Sequence, residues 1–231
     1  FDCLATGADL GRSLVILGDH AEPSDLPANR RTEPFDVPVR KARRVPVDAP
    51  GFALNKYTLR AFNALYYRVN AGKAGRSVVD WDSYFYPLDA VHEWNRIYGQ
   101  RGFAQYQVVL PLEASRDGLR ALLDAIAAAQ QGSFLAVLKR LGPEEGQFSF
   151  PMEGYTLALD FPVSPAALRL LDRLDAITLD HGGRYYLAKD SRVPAEVLHK
   201  ADPRAGEFAR ARQAAGYAGV FASAQSERLK L

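Results

Sequence analysis

From Phe103 the chain alternates in character. In "FAQYQVVLP" (Phe103–Pro111), Tyr106, Val108 and Leu110 fall on one side of an extended segment, and Gln105, Gln107 and Val109 fall on the other, because successive strand side chains point to opposite faces. The first set suits a core. A helix follows, capped by Ser115, running to about Gln130 and stopped at Gly132. "SFLAVLKRLG" (Ser133–Gly142) reads as a second strand and "GYTLALDFPV" (Gly154–Val163) as a third. In the third, Tyr155, Leu157, Leu159 and Phe161 share one face, while Thr156, Ala158 and Asp160 form a small, polar face opposite. Ser164 caps a second helix with Pro165 at its first position. Leu168, Leu171 and Leu174 follow helical spacing, and Gly182 and Gly183 end the helix. "RYYLAK" (Arg184–Lys189) is a fourth strand. Strand, helix, strand, strand, helix, strand is the ferredoxin-like split βαβ pattern. The fold class is therefore α+β: an antiparallel sheet with helices on one face, the other face free to cover a ligand.

The chain before this unit is less regular. "RSLVILG" (Arg12–Gly18) predicts a strand, and residues 21–51, rich in proline and charge, predict an extended linker. A helix is expected from Asn55 to about Tyr67. The aromatic-dense "VDWDSYFYPLDAVHEWNRIYG" predicts a strand or loop that stops at Pro87, then a short helix from Asp89 to Tyr98.

The length of 231 residues suits one large domain or two small ones, and a net charge of +2 gives no argument for a nucleic-acid partner. "RKARR" (Arg40–Arg44) reads as a solvated linker. A single cysteine, Cys3, excludes an internal disulfide framework and a multi-cysteine metal site. His20, His92, His181 and His199 lack metal-ligand spacing, so no metal is expected. No apolar run approaches the roughly 20 residues a membrane helix needs. Glycine-rich phosphate loops, HExxH, CxxC and GxSxG are missing from the sequence. The chain opens on Phe1 and reads from its first residue like the middle of a structured region, which suggests a piece whose front half is missing.

The candidate chemistry lies on the open sheet face. Gln105 and Gln107 set two amides side by side, and amides both donate and accept, which suits a hydroxyl-rich ligand. Thr156 and Ala158 leave room for a flat ligand near the backbone. Lys139 closes "FLAVLK" much as Lys189 closes "RYYLAK", and two ammonium groups by one cleft would favour an anion. Lys189 could also sit by a reaction centre, where burial lowers a lysine pKa. The plainer alternatives, an exposed amphipathic sheet and snorkelling edge lysines, stay open at this point.

As a set, "NKYT" (Asn55–Thr58), "FYPLD" (Phe85–Asp89), "EWNRIYG" (Glu93–Gly99), "GFAQYQVVLP" (Gly102–Pro111), "FLAVLKRLGP" (Phe134–Pro143), "FSFP" (Phe148–Pro151), "GYTLALDFP" (Gly154–Pro162), "GGRYYLAKDSR" (Gly182–Arg192) and "VFASAQSERLKL" (Val220–Leu231) span nearly the whole chain. In that order they resemble the C-terminal half of the decaprenylphosphoryl-ribose 2-oxidase family, flavoenzymes of the vanillyl-alcohol-oxidase type. The resemblance implies an FAD-binding domain in two segments with a substrate domain between them. Residues 1–20 would then be the last strand of the FAD-binding domain, 21–183 the substrate domain, and 184–231 a segment returning to the FAD-binding domain. It implies an oxidoreductase acting on a secondary alcohol of a sugar or sugar-lipid phosphate. FAD would be the cofactor, most of its site lying outside this chain, in the missing N-terminal FAD-binding domain, and an epimerising reductase would be a partner. Localisation would be cytoplasmic, with a membrane-associated or periplasmic-face position as the alternative.

The resemblance also assigns roles. Lys189 would be catalytic and cofactor-binding, Tyr186 cofactor-binding, and Gln105, Gln107, Lys139, Thr156, Ala158 and Phe85 substrate-binding. The mycobacterial enzymes carry cysteine at Ala158, asparagine at Thr156, tyrosine at Phe85 and histidine at Tyr86, so the pocket here differs in polarity, and a cysteine-directed inhibitor has no thiol to attack at Ala158. Two other functions remain as alternatives: oxidation of a free sugar or aldonolactone, and a non-catalytic ferredoxin-like binding module.

Overall fold

The structure, a computed structural model, describes residues 1–36, 39–73 and 75–231. In chain order its regular elements are β1 (Arg43–Arg44), α1 (Lys56–Ala71), α2 (Trp81–Phe85), β2 (Val91–His92), β3 (Phe103–Pro111), α3 (Leu112–Ala129), β4 (Ala136–Leu141), β5 (Gly154–Pro162), α4 (Pro165–Asp180), β6 (Arg184–Tyr185), α5 (Ala195–Ala201), α6 (Arg204–Ala214) and α7 (Ala224–Leu229), joined by short 3-10 turns.

Four strands make one sheet in the order β4-β5-β3-β6, and every neighbouring pair is antiparallel. With α3 after β3 and α4 after β5, this is the expected ferredoxin-like βαββαβ arrangement. The alternation of β3 and β5 decides which face is covered. Tyr106, Val108 and Leu110 meet Leu159, Leu157 and Tyr155 across the strands. All but Tyr155 of these are buried, together with Leu122 and Ile126 of α3 and Leu170, Leu171 and Leu174 of α4. Each such leucine or isoleucine contributes about 1.5–3 kcal/mol on burial. The phenol of Tyr106 lies 2.9 Å from Thr178 Oγ1, and Tyr185 donates to the carbonyl of Asp175 at 3.2 Å, so neither buried hydroxyl lacks a partner.

Helix ends follow local chemistry with one exception. Ser164 Oγ accepts from the N–H of Ala167 with Pro165 in the first turn, as expected. Asn55 caps α1, whose helix runs a turn beyond the expected Tyr67. Ser115, by contrast, caps nothing: α3 starts at Leu112, directly off the strand, and the Ser115 hydroxyl turns back onto the carbonyls of Leu110 and Pro111. Gln130, not Gly132, takes the left-handed position that ends α3. Gly132 is needed for space instead, since a Cβ there would lie 2.8 Å from both Leu4 and Leu59.

Four other expectations are corrected. Residues 12–18 form no strand; Val15, Ile16 and Leu17 are exposed, because an isolated extended segment has no neighbour to take its backbone hydrogen bonds. The linker is not wholly without structure: β1 pairs in parallel with β2, and Arg40 is drawn into a part-buried ion pair with Asp82 at 2.6 Å, while the rest of the basic run stays solvated as expected, Arg44 included although it meets Glu93 at 2.7 Å. The expected helix from Asp89 to Tyr98 is split into β2 and a 3-10 turn, Trp94–Tyr98, while a true helix forms earlier at α2, capped by Asp80. The expected fourth strand stops after Tyr185, and Leu187–Lys189 form a 3-10 turn. Among the described residues no helix is long and apolar enough to cross a membrane.

Candidate functional site

The sheet face opposite the α3–α4 core gathers most of the candidate residues through its register; it is not as open as expected, since Val109, Thr156 and Asp160 on it are buried. Gln105 faces Asp160 directly across β3 and β5, Gln107 faces Ala158, and on the other side of β5 Lys139 faces Thr156 and Val137 faces Ala158. Gln105 Nε2 donates to Asp160 Oδ1 at 2.9 Å, and Gln107 Nε2 donates to Thr156 Oγ1 at 3.2 Å. Thr156 and Asp160 are buried, the glutamines and Ala158 half-buried, and Lys139 exposed. The small side chains of Thr156 and Ala158 keep the middle of the face shallow, as expected. Lys139 does not end its strand: β4 continues to Leu141, so the lysine stands on the face itself.

Lys189 reaches the rim of this face by a turn. The N–H of Tyr186 donates to the Gln107 carbonyl at 2.9 Å, continuing the β3–β6 pairing by one residue. The N–H groups of Lys189 and Asp190 then return to the carbonyls of Tyr186 and Leu187 and close the turn. Asp190 explains why the chain turns: its Oδ1 accepts from the backbone N–H of Arg192 and Val193, and its Oδ2 pairs with Arg228 at 2.8 Å. From α7, Gln225 Nε2 also donates to the carbonyls of Leu187 and Asp190. Lys189 is exposed, not buried as a reaction-centre position would have it. Its charge lies near enough to Asp160 to favour that carboxylate's ionised form.

Tyr186 is half-buried, its ring against Phe150 with centroids 4.6 Å apart. Phe150 belongs to a loop fastened by two arginines. Arg184 donates to the carbonyls of Ser149 and Pro151, and Arg204 to those of Gly146 and Ser149. The buried carboxylate of Asp202 lies 3.3 Å from Arg184 and 2.7 Å from Arg204. Burial lowers the pKa of Arg184, with Asp202 opposing and Arg204 adding to the shift. Phe85 stands apart: it ends α2, is 60% exposed, and makes its ring contacts with Tyr84 and Tyr86 of its own segment.

Two groups on the face were not singled out from the sequence as site residues. Asp160 is only 2% exposed, and burial pushes its pKa up against the opposing effects of Gln105, Lys189 and Tyr98. Tyr98 is buried beside it without reaching hydrogen-bonding geometry, and burial, then the Asp160 charge, pushes its phenol up as well. The available signal was a lone acidic residue inside the apolar run "LALDFP". Among the described residues no cluster of histidine, cysteine or carboxylate side chains could hold a metal.

No family model matches the chain. Compared with curated proteins, it is 35% identical over 232 residues to decaprenylphosphoryl-beta-D-ribose oxidase of Mycolicibacterium smegmatis, covering 100% of this chain and 50% of that protein. It is 31% identical over 239 residues to an uncharacterised protein in the mprA 5′ region of Streptomyces coelicolor, covering 100% of this chain and 64% of that protein. The chain thus spans between half and two-thirds of the length of these relatives. The resemblance carried by its motifs is borne out: along its whole length the chain is similar to half of decaprenylphosphoryl-beta-D-ribose oxidase.

Proposed function

We propose that the protein containing this chain is an FAD-linked oxidoreductase that oxidises a secondary alcohol of a sugar-like substrate, a polyprenyl-phosphoryl ribose being the form favoured. The observation that carries this reading is the convergence of Gln105, Gln107, Thr156 and Lys139 on one sheet face with the Lys189 turn at its rim. A flat ring fits that face, because Thr156 and Ala158 hold nothing tall above the backbone and Tyr186 offers an aromatic edge. Tyr186 and Lys189 would hold the flavin from this side. When bound, the flavin supplies the acceptor for the hydride that leaves the carbinol carbon.

The chain's own residues do the binding and the charge work. Gln105 and Gln107 hold sugar hydroxyls, and the Lys139 ammonium is available for a phosphate. Lys189 faces the reacting hydroxyl and stabilises the negative charge that develops on its oxygen as the proton passes to solvent water. The exposed aromatic run, with Trp81 at 54%, Phe85 at 60% and Tyr86 at 49% exposure, supports an apolar substituent such as a polyprenyl chain over a free sugar. The test is Lys189→Ala in the full-length protein. Rapid-mixing flavin reduction by the sugar lipid should fall at least about a hundredfold, the scale of one lost charge-stabilising group, with the melting temperature unchanged. A normal reduction rate in that variant would overturn the assignment of Lys189.

A further inference from the structure

Asp160 is a carboxylate held in the sheet at 2% exposure, a placement that is costly for any ionisable group. Its Oδ1 accepts from Gln105, and its Oδ2 is buried with no hydrogen-bond partner. The charged or titratable groups that face it are Lys189 and Tyr98. An ionised carboxylate can only accept, so Gln105 must turn its NH2 group toward Asp160. The amide carbonyl is then left available to a ligand. Gln107 repeats the arrangement, its NH2 group directed to Thr156 Oγ1.

We propose that Asp160 is a positioning residue that locks Gln105 with its amide carbonyl available to the ligand, so that the sheet face reads hydroxyl groups as hydrogen-bond donors. This rests on the reading of the face as a sugar site, and it adds the sense of the recognition. A sugar hydroxyl that donates is accepted. An analogue with fluorine or a methoxy group at the same carbon, which can only accept, is rejected.

Two measurements on the full-length protein test it. The first needs no substrate. The side-chain NH2 resonances of Gln105, identified by their loss in Gln105→Leu, should titrate with Asp160 at a pH above the ordinary carboxylate range, and Asp160→Asn should abolish that titration. Gln105 resonances that ignore the ionisation of Asp160 would overturn the proposal. The second is a double-mutant cycle with polyprenyl-phosphoryl ribose as substrate. Asp160→Asn should raise KM about tenfold, the usual scale of one oriented hydrogen bond, with kcat changed less than about twofold. The same substitution on top of Gln105→Leu should add nothing. Additive effects, or an unchanged KM, would show that Asp160 does not act through Gln105. If Asp160→Asn fails to fold, the wild-type titration decides the question. Because that titration uses no ligand, its outcome stands even if the oxidase reading fails.

Discussion

Replacing Arg192 by methionine should expose how the turn after Lys189 is stabilised. Arg192 is 17% exposed in its side chain and meets the buried Asp175 at 2.6 Å, with a second contact to the exposed Asp172 at 3.1 Å. Arg192 meets Asp175 at Oδ2, and Asp175 Oδ1 is buried with no hydrogen-bond partner. Methionine keeps the apolar stem and removes the charge, which leaves an uncompensated buried carboxylate. Breaking such a pair from one side costs about 3–5 kcal/mol. The loss should depend on pH. Burial already pushes the Asp175 pKa up, and Arg192 is the main opposing influence, so its removal raises that pKa further. A carboxyl whose folded pKa lies above its unfolded value contributes stability that is present below the unfolded value and lost as pH rises through the folded one. The loss relative to the unaltered protein should therefore be larger at about pH 7.5 than at about pH 4.5, because the raised pKa favours the neutral carboxyl on the acid side. Urea unfolding followed by circular dichroism at both pH values reads this out. An equal loss at the two values would refute the buried-charge argument, and a loss below about 0.5 kcal/mol would mean that the pair behaves like a surface bridge.

Gly154→Ala should destabilise by roughly 2–4 kcal/mol in the same assay, because a Cβ there would meet the Leu110 carbonyl oxygen at 1.9 Å in the β3–β5 ladder. Cys3 is 1% exposed and its thiol is pushed up to about 11, chiefly by burial, so a thiol-reactive dye at neutral pH should label it only after urea is added. Arg228→Ala removes the Asp190 partner supplied by α7 and should raise amide hydrogen exchange at residues 187–190 while leaving exchange in β3 and β5 unchanged.

Most of the sheet was legible because β3 and β5 alternate cleanly and are bounded by capping and glycine signals. The same alternation placed Gln105 and Gln107 together and opposed them to the core. The misreadings share a physical cause: they concern segments whose hydrogen bonds depend on distant partners. Arg12–Gly18 has the composition of a strand and, among the described residues, no strand beside it to pair with. "RYYLAK" looks like one strand, but Asp190 and Gln225 satisfy the backbone after Tyr186, with Arg228 pairing the Asp190 carboxylate, and the chain bends into a turn. Arg40 reads as solvated until Asp82 arrives from more than forty residues away. Asp160 carried a visible anomaly, a charge inside an apolar run, but its burial and its hold on Gln105 exist only once the register of β3 and β5 is set.

That the intact protein is a flavin-linked sugar oxidoreductase is best tested by an anaerobic visible spectrum of the full-length protein before and after adding a polyprenyl-phosphoryl ribose. The expected result is a flavin absorption band that bleaches on addition. A protein that shows no flavin band even after reconstitution with FAD would contradict the claim.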